Sequence, residues 1–285
     1  MIHSLNDSMT QSINVKDRYA IIAGNGRFPF LVLEAARDQG IEPLVVGIKE
    51  EAAPELSEKA GAATHWLSLG EAAKVFELLK AEGVTKVILA GQVKHAQLFS
   101  SIKPDGLVRR ALMGLQRKNT DALIGAFVRM LEDRGMEVVD STLFLKGILA
   151  GAGALTARAP DTSEMADIEY GREVAKKIAG LDIGQTIVVA ERACVAVEAM
   201  EGTDATIERA AALGNGRRLV VVKVSKPHQD MRFDVPVVGP KTIQVMSRSN
   251  ARALALDAGK TLLFDRTRLL EEANAAEIAI IGMKD

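Results

Sequence analysis

Residues 225–239, Ser-Lys-Pro-His-Gln-Asp-Met-Arg-Phe-Asp-Val-Pro-Val-Val-Gly, follow the apolar run Leu219 to Val222 and place Lys226, His228, Asp230, Arg232 and Asp234 within nine positions. Carboxylates beside cations at this density can align a water, ligate a divalent ion and neutralise phosphate oxygens. The competing reading is an exposed strand whose Asp-Arg-Asp face forms weak surface pairs. In an extended chain Asp230, Arg232 and Asp234 share one face, and Met231, Phe233 and Val235 the other. On a straight strand the two Asp stand about 13 Å apart, so a shared ion requires a bend.

A second group lies at residues 198–204. Glu198 interrupts the apolar run that ends a strand and is suited to a base or an oxygen ligand; Mg²⁺ takes a few carboxylates with water and phosphate oxygens. Thr203 and Asp204 suit a helix start, where a hydroxyl caps and an anion meets the dipole. A third group follows the first strand. Gly24-Asn25-Gly26-Arg27-Phe28-Pro29 resembles the start of a dinucleotide fingerprint with Pro in the third place, and reads equally as a tight structural turn. Glu50 or Glu51 stands where a ribose-binding acid is expected. Gln92, Lys94 and His95 follow another apolar strand, at the end where open α/β sheets meet ligands. Lys103 to Gly106 reads as a turn and helix start, and Asn119 or Thr120 with Asp121 as a cap.

The elements that must position these groups alternate. Runs at 19–24, 42–48, 85–91 and 136–141 read as strands, and those near 30–39, 71–82, 106–117 and 121–134 as helices. Strands separated by helices imply right-handed crossovers and a Rossmann-like parallel sheet. The Gly-, Ala- and Pro-rich stretch 150–163 suits an interdomain connection. Beyond it come a helix at 165–179, a hairpin from 186–190 and 194–199, a helix at 204–213, the strand before the charged stretch, a helix at 242–257, strand-like Thr261 to Asp265, a short helix and a strand ending at Gly282. The expected fold class is therefore α/β in two domains, an N-terminal Rossmann-like parallel sheet over 19–155 and a C-terminal mixed α/β domain over 156–285. Residues 1–18 are polar and unpatterned, which reads as a mobile tail.

Composition narrows the function classes. Of 285 residues 48% are hydrophobic and 26% charged, with a formal net charge of -1, so a soluble globular protein without a nucleic-acid-wrapping basic field is expected. The single cysteine, Cys194, makes no internal disulfide and reads as a buried structural thiol. No apolar stretch approaches the roughly 20 residues of a membrane span and no secretory leader opens the chain, so a cytoplasmic location is expected. Homodimerisation is the base-rate expectation.

Taken together, residues 23–29, 91–96, 103–106, 182–189, 197–210 and 226–243 resemble the UDP-2,3-diacylglucosamine pyrophosphatase family of lipid A biosynthesis, the type unrelated to calcineurin-like metallophosphoesterases. The likeness runs from about Tyr19 to Met283 and is most specific over Glu198 to Thr242. It implies two domains with the lipid substrate between them, and hydrolysis of the UDP-2,3-diacylglucosamine diphosphate to UMP and 2,3-diacylglucosamine 1-phosphate with Mg²⁺, or another divalent cation such as Mn²⁺. On that resemblance Asp230 is the leading base or metal ligand, with Asp234 and Glu198 as supporting ligands. Arg232, Lys223 and Lys226 are the diphosphate contacts, and Gly24, Gly26, Arg27, Gln92, Lys94, Thr203, Asp204 and Gln229 are further substrate contacts. A bilayer-resident lipid would call for transient contact with the inner face of the membrane. The rival expectations are a nicotinamide- or flavin-dependent oxidoreductase, motivated by the first βα turn, and a non-catalytic nucleotide or lipid carrier.

Overall fold

The computed structural model describes residues 14, 16–61, 64–93, 104–114 and 120–284. Lys94, His95, Lys103 and Asn119, and most of the expected N-terminal tail, lie outside them. The residues just before the first strand are tied down, since Asp17 pairs with Lys86 at 3.1 Å and Arg18 N donates to Thr85 Oγ1 at 3.2 Å. The chain divides into two bodies, residues 1–145 with 231–234, and residues 146–230 with 235–285. The division falls earlier than residue 155, and a four-residue segment of the charged stretch returns to the first body.

In the first body β1 (Tyr19–Ala23), β2 (Leu44–Ile48), β3 (Thr64–Leu67), β4 (Lys86–Ala90) and β5 (Glu137–Val138) form one sheet in the order β3-β2-β1-β4-β5. All its pairings are parallel, as the alternation of strands and helices requires. β1 is buried at every position, as expected for a central strand covered on both faces. Strand β3, Thr-His-Trp-Leu, was not expected, being short and only partly buried. The order reverses between β1 and β4, which is the switch point of such sheets.

Asp105 fixes the helices on this sheet. Its carboxylate accepts from Ala73 N at 2.8 Å, at the start of helix Ala72–Ala81, and from Leu107 N and Val108 N at 2.9 Å, in the first turn of helix Gly106–Gly114. Burial pushes its pKa up, but the three backbone donors outweigh burial and leave it below the ordinary value. A depressed carboxyl contributes stability that is present above its unfolded value of about 3.9 and lost as pH falls through the lower folded one. Asp105→Ala is therefore expected to cost about 1–2 kcal/mol at neutral pH, and this difference from the parent should shrink below about pH 3.5 in denaturant titrations.

In the second body β6 (Gly153–Ala154), β7 (Thr186–Ala190), β8 (Ala193–Val197), β9 (Leu219–Lys223), β11 (Ala251–Asp257) and β13 (Ala279–Met283) form a mixed sheet in the order β6-β13-β11-β9-β7-β8. Strands β9, β11 and β13 are parallel, while β7 runs antiparallel to both its neighbours. Short β10 (Val237–Val238) and β12 (Leu262–Leu263) pair separately. The expected hairpin is present, and its turn residues Glu191 and Arg192 adopt positive φ of 52° and 56°, the geometry a two-residue hairpin turn requires. Neither is glycine. The buried carboxylate of Asp167, on helix Thr162–Gly180, accepts from both their backbone N–H groups, at 3.2 and 2.5 Å, and holds the turn.

Three expectations are corrected. The helix over 242–257 is two elements, helix Pro240–Arg248 and β11, because the chain turns at Ser249 and Asn250, the latter at φ 54°. The Ala-Arg-Ala-Leu-Ala-Leu run satisfies either period, and its central place in the sheet decides. The Gly- and Ala-rich stretch after residue 150 contains β6, which pairs with β13, and a Cβ on Gly282 would stand 1.8 Å from Gly151 O, so glycine permits the approach. Met231 to Phe233 forms a turn rather than a strand. Cys194 is exposed on edge strand β8, not buried.

Candidate functional site

Two groups of predicted residues are assembled, each at the carboxyl edge of a sheet. In the second body, antiparallel β7 begins beside the ends of β8 and β9. Thr186 is the register partner of Lys223, and Glu198 N donates to Thr186 O at 2.8 Å. Three predicted residues meet there. Lys223 Nζ donates to Thr203 Oγ1 at 2.7 Å, and Thr203 Oγ1 donates to Glu198 Oε1 at 2.8 Å. Glu198 Oε2 accepts from Gln185 N at 3.2 Å. Glu198 and Lys223 are 8% and 9% exposed, so a carboxylate and an ammonium are held nearly dry, linked through one hydroxyl. Thr203 opens helix Thr203–Leu213 as anticipated, but its side chain serves this relay, and the helix carries no side-chain cap. Asp204 in the same turn accepts from Thr242 Oγ1 at 2.8 Å and pairs with Lys241 at 3.3 Å.

Sequence reasoning missed Thr186, Gln185 and Ser225 at this edge. Thr186 and Ser225 are fully buried, and the Gln185 Oε1 and Ser225 Oγ atoms have no hydrogen-bond partner among the described residues. The available signal was a hydroxyl or amide placed where an apolar strand begins or ends.

The charged stretch is split between the bodies. Lys226 and Gln229 close a turn, with Gln229 N donating to Lys226 O at 3.1 Å and Lys226 N to Gln229 Oε1 at 2.7 Å, and Lys226 Nζ pairs with Asp182 at 2.9 Å. Asp230 ends this part of the second body. Met231 to Asp234 belong to the first, where Ser141 N donates to Met231 O at 2.9 Å and Ser141 Oγ lies 2.6 Å from Arg232 O. Those bonds to a loop replace the ladder a strand would have needed, which is why the charge alternation did not produce one. Arg232 pairs with Glu132 at 2.6 Å, and Phe233 packs into the core of the first body. Among the described residues no three His, Cys, Asp or Glu side chains gather as a ready-made metal cage.

The glycine group of the first body is also assembled, by backbone contacts. Asn25 and Gln92 form an isolated bridge through N···O contacts of 2.7 and 3.0 Å. A Cβ on Gly24 would lie 2.6 Å from Gln92 O, and one on Gly91, at φ 96°, would lie 2.7 Å from Asn25 O. The glycines thus close the ends of β1 and β4 on each other. Gly26 also adopts positive φ, and exposed Arg27 begins helix Phe28–Asp38 without a side-chain cap. Of the two acids suited to a ribose, Glu50 is engaged by its own chain, accepting from Ser68 Oγ and from Leu69 N at 3.1 Å, and Glu51 is buried. Beside this closure lies an apolar cavity of about 150 Å³, lined by Gly24 among others.

A family model described as the LpxI N-terminal domain matches residues 18–148, and one described as the LpxI C-terminal domain matches residues 151–281. The chain is 33% identical over 276 residues to a Caulobacter vibrioides protein named UDP-2,3-diacylglucosamine pyrophosphatase LpxI, covering 93% of this chain and 97% of that one. Among solved structures, the biotin carboxylase domain of Hydrogenobacter thermophilus 2-oxoglutarate carboxylase gives 15% identity and a TM-score of 0.27 over 72% of this chain and 43% of that one, a likeness that carries no argument.

Proposed function

Since the chain belongs to the LpxI family, matched along both of its domains, we propose that it hydrolyses the diphosphate of UDP-2,3-diacylglucosamine to UMP and 2,3-diacylglucosamine 1-phosphate. The observation that carries the reading from the structure is the buried Lys223–Thr203–Glu198 relay at a sheet's carboxyl edge. A dry ammonium there is suited to neutralise charge building on a departing phosphate, and Thr203 fixes its direction. Asp230 takes the proton of the attacking water or ligates the metal; Glu198 and Asp234 support it. Arg232 and Lys226, now on Glu132 and Asp182, turn to the diphosphate when substrate competes for them. Gln229, Asp204, Gly26, Arg27, Gln92 and Lys94 complete the contacts.

The donor set suits Mg²⁺ or Mn²⁺ carried by the diphosphate, because such ions need only one or two protein carboxylates beside water and phosphate oxygens. When bound, the ion supplies Lewis-acid stabilisation and a more acidic water. No helix among the described residues is long and apolar enough to cross a membrane, and the proposed location is the cytoplasmic face of the inner membrane, with transient contact at its surface. A homodimer is the proposed assembly. Release of UMP from UDP-2,3-diacylglucosamine, followed by chromatography with Mg²⁺ supplied and with the metal chelated, tests the reading. Rapid release that collapses on chelation and returns with Mg²⁺ or Mn²⁺ is expected; no release from folded protein under any metal condition would overturn it.

A further inference from the structure

Strand β9 ends at Lys223, and soon afterwards the chain reaches Pro227, which has no N–H to continue a ladder. The amide donors between them must find other partners. Val224 N donates to Gln185 O at 2.9 Å, and Lys226 N to Gln229 Oε1 at 2.7 Å, inside the turn itself. Ser225 N donates to Asp257 Oδ2 at 2.7 Å, on the carboxylate that ends β11. Ser225 is fully buried and its Oγ makes no hydrogen bond among the described residues, so its hydroxyl gives the turn no anchor.

Asp257 is 1% exposed, and two cations one helical turn apart hold its charge. Arg172 Nη2 donates to Oδ1 at 3.1 Å and Lys176 Nζ to Oδ2 at 2.7 Å, both from helix Thr162–Gly180. A buried ion pair is a poor source of stability, because desolvation offsets the attraction and an apolar side chain of similar volume often serves as well. An apolar side chain could not accept the Ser225 amide. Ser225 lies two residues after Lys223, the ammonium of the relay, and five before Asp230, the candidate base or ligand. Where Ser225 is held therefore bears on both. The same helix meets the turn again at its end, where a Cβ on Gly180 would stand 3.6 Å from Pro227 Cγ and, just beyond, Asp182 pairs with Lys226.

We propose that Asp257 is a positioning residue for the hydrolysis: by holding Ser225 N it sets where β9 gives way to the charged stretch, and so where Lys223 and Asp230 stand for the reaction. It acts through the backbone of Ser225. The effect on turnover rests on the activity proposed above, whereas the anchoring is read without substrate.

The test reads the full-length protein in two ways, by backbone amide exchange over residues 225–230 without substrate and by UMP release from UDP-2,3-diacylglucosamine. Asp257→Ala is expected to speed exchange of the Ser225 amide by about tenfold or more, as loss of a hydrogen bond to a charged acceptor requires, and to lower kcat by about 10–100-fold. KM is expected to stay close to that of the parent, because Lys223 and Asp230 act on charge and protons that move only in the transition state. Asp257→Asn keeps an oxygen for Ser225 N and is expected to recover most of kcat. Lys176→Met removes a cation but leaves that bond, and is expected to lower the melting temperature with exchange and kcat unchanged. This split separates positioning from general stability. Exchange as slow in Asp257→Ala as in the parent, an unchanged kcat, or Asp257→Asn turning over no faster than Asp257→Ala would each overturn the proposal. Should Asp257→Ala fail to fold, Asp257→Leu combined with Lys176→Met removes the acceptor with one fewer cation beside it, and is read against Lys176→Met alone with the same outcomes deciding. If the parent releases no UMP, the activity fails; faster exchange in the variant then supports the anchor, and unchanged exchange overturns it.

Discussion

Asp230→Asn is expected to lower UMP release by about 10²–10⁴-fold, while circular dichroism, melting temperature and substrate affinity stay close to those of the parent. The amide keeps the size and hydrogen-bonding capacity of the carboxylate but neither accepts a proton at neutral pH nor ligates a hard cation well. Asp230 is half-buried and stands at the last position of its body before the Ser141-held turn, so its backbone is set by bonds on either side that the substitution leaves alone. Near-normal turnover by folded Asp230→Asn would remove Asp230 from the role of base or ligand and pass it to Glu198 or Asp234. Running the assay from about pH 5 to 9 separates chemistry from binding, because loss of a base changes the acid limb of kcat and leaves the substrate affinity unmoved.

The largest expected loss of stability comes from far outside the site, at Arg158→Ala. Glu164 is 1% exposed, and its two oxygens accept from the Arg158 guanidinium at 2.6 and 3.1 Å. The same guanidinium reaches Glu277 O at 2.9 Å and Arg252 O, so it ties the start of helix Thr162–Gly180 to the strand and helix ends beside it. Glu164 also completes the capping box with Asp161. Removing the cation leaves the buried carboxylate with only the largely exposed Arg218, at 3.9 Å, as counter-charge, which costs up to about 3–5 kcal/mol and lowers the melting temperature by an amount on the order of 10 °C. Adding Glu164→Gln to Arg158→Ala removes the poorly compensated buried charge and is expected to recover part of that loss in calorimetry. A loss below 1 kcal/mol for the single variant would show that water reaches Glu164 and that the pair contributes little.

The helix expected at 165–179, the parallel core of the first body and the β7–β8 hairpin were legible because each is decided by local pattern: a helical period, or apolar strands cut by helices or joined by a short turn. The helix expected over 242–257 failed because Ala-Arg-Ala-Leu-Ala-Leu satisfies both periods, and only its neighbours β9 and β13 make it a strand. Glu198, Thr203 and Lys223 were each identifiable as polar groups at strand or helix ends. Their meeting was not, since it depends on β7 lying antiparallel between β8 and β9. The apolar cavity gave no signal at all, because Ile22, Val46, Leu67 and Leu89 read as ordinary core residues in any strand of a parallel sheet.

The sequence by itself determined the α/β class, the two-domain plan and the family, for these follow from periodicity and from motifs spaced along the chain. Tertiary structure alone decided what the charged stretch at 225–239 becomes. Alternation of Asp, Arg and Asp made a strand the natural expectation, but a strand exists only where a neighbour offers a ladder. Here Ser141 engages the backbone of Met231 and Arg232, Phe233 turns into the first body, and Asp230 remains with the second. A period of two can sort side chains onto faces; it cannot say which part of the molecule will bond the backbone, and that bonding is what made Met231 to Phe233 a turn.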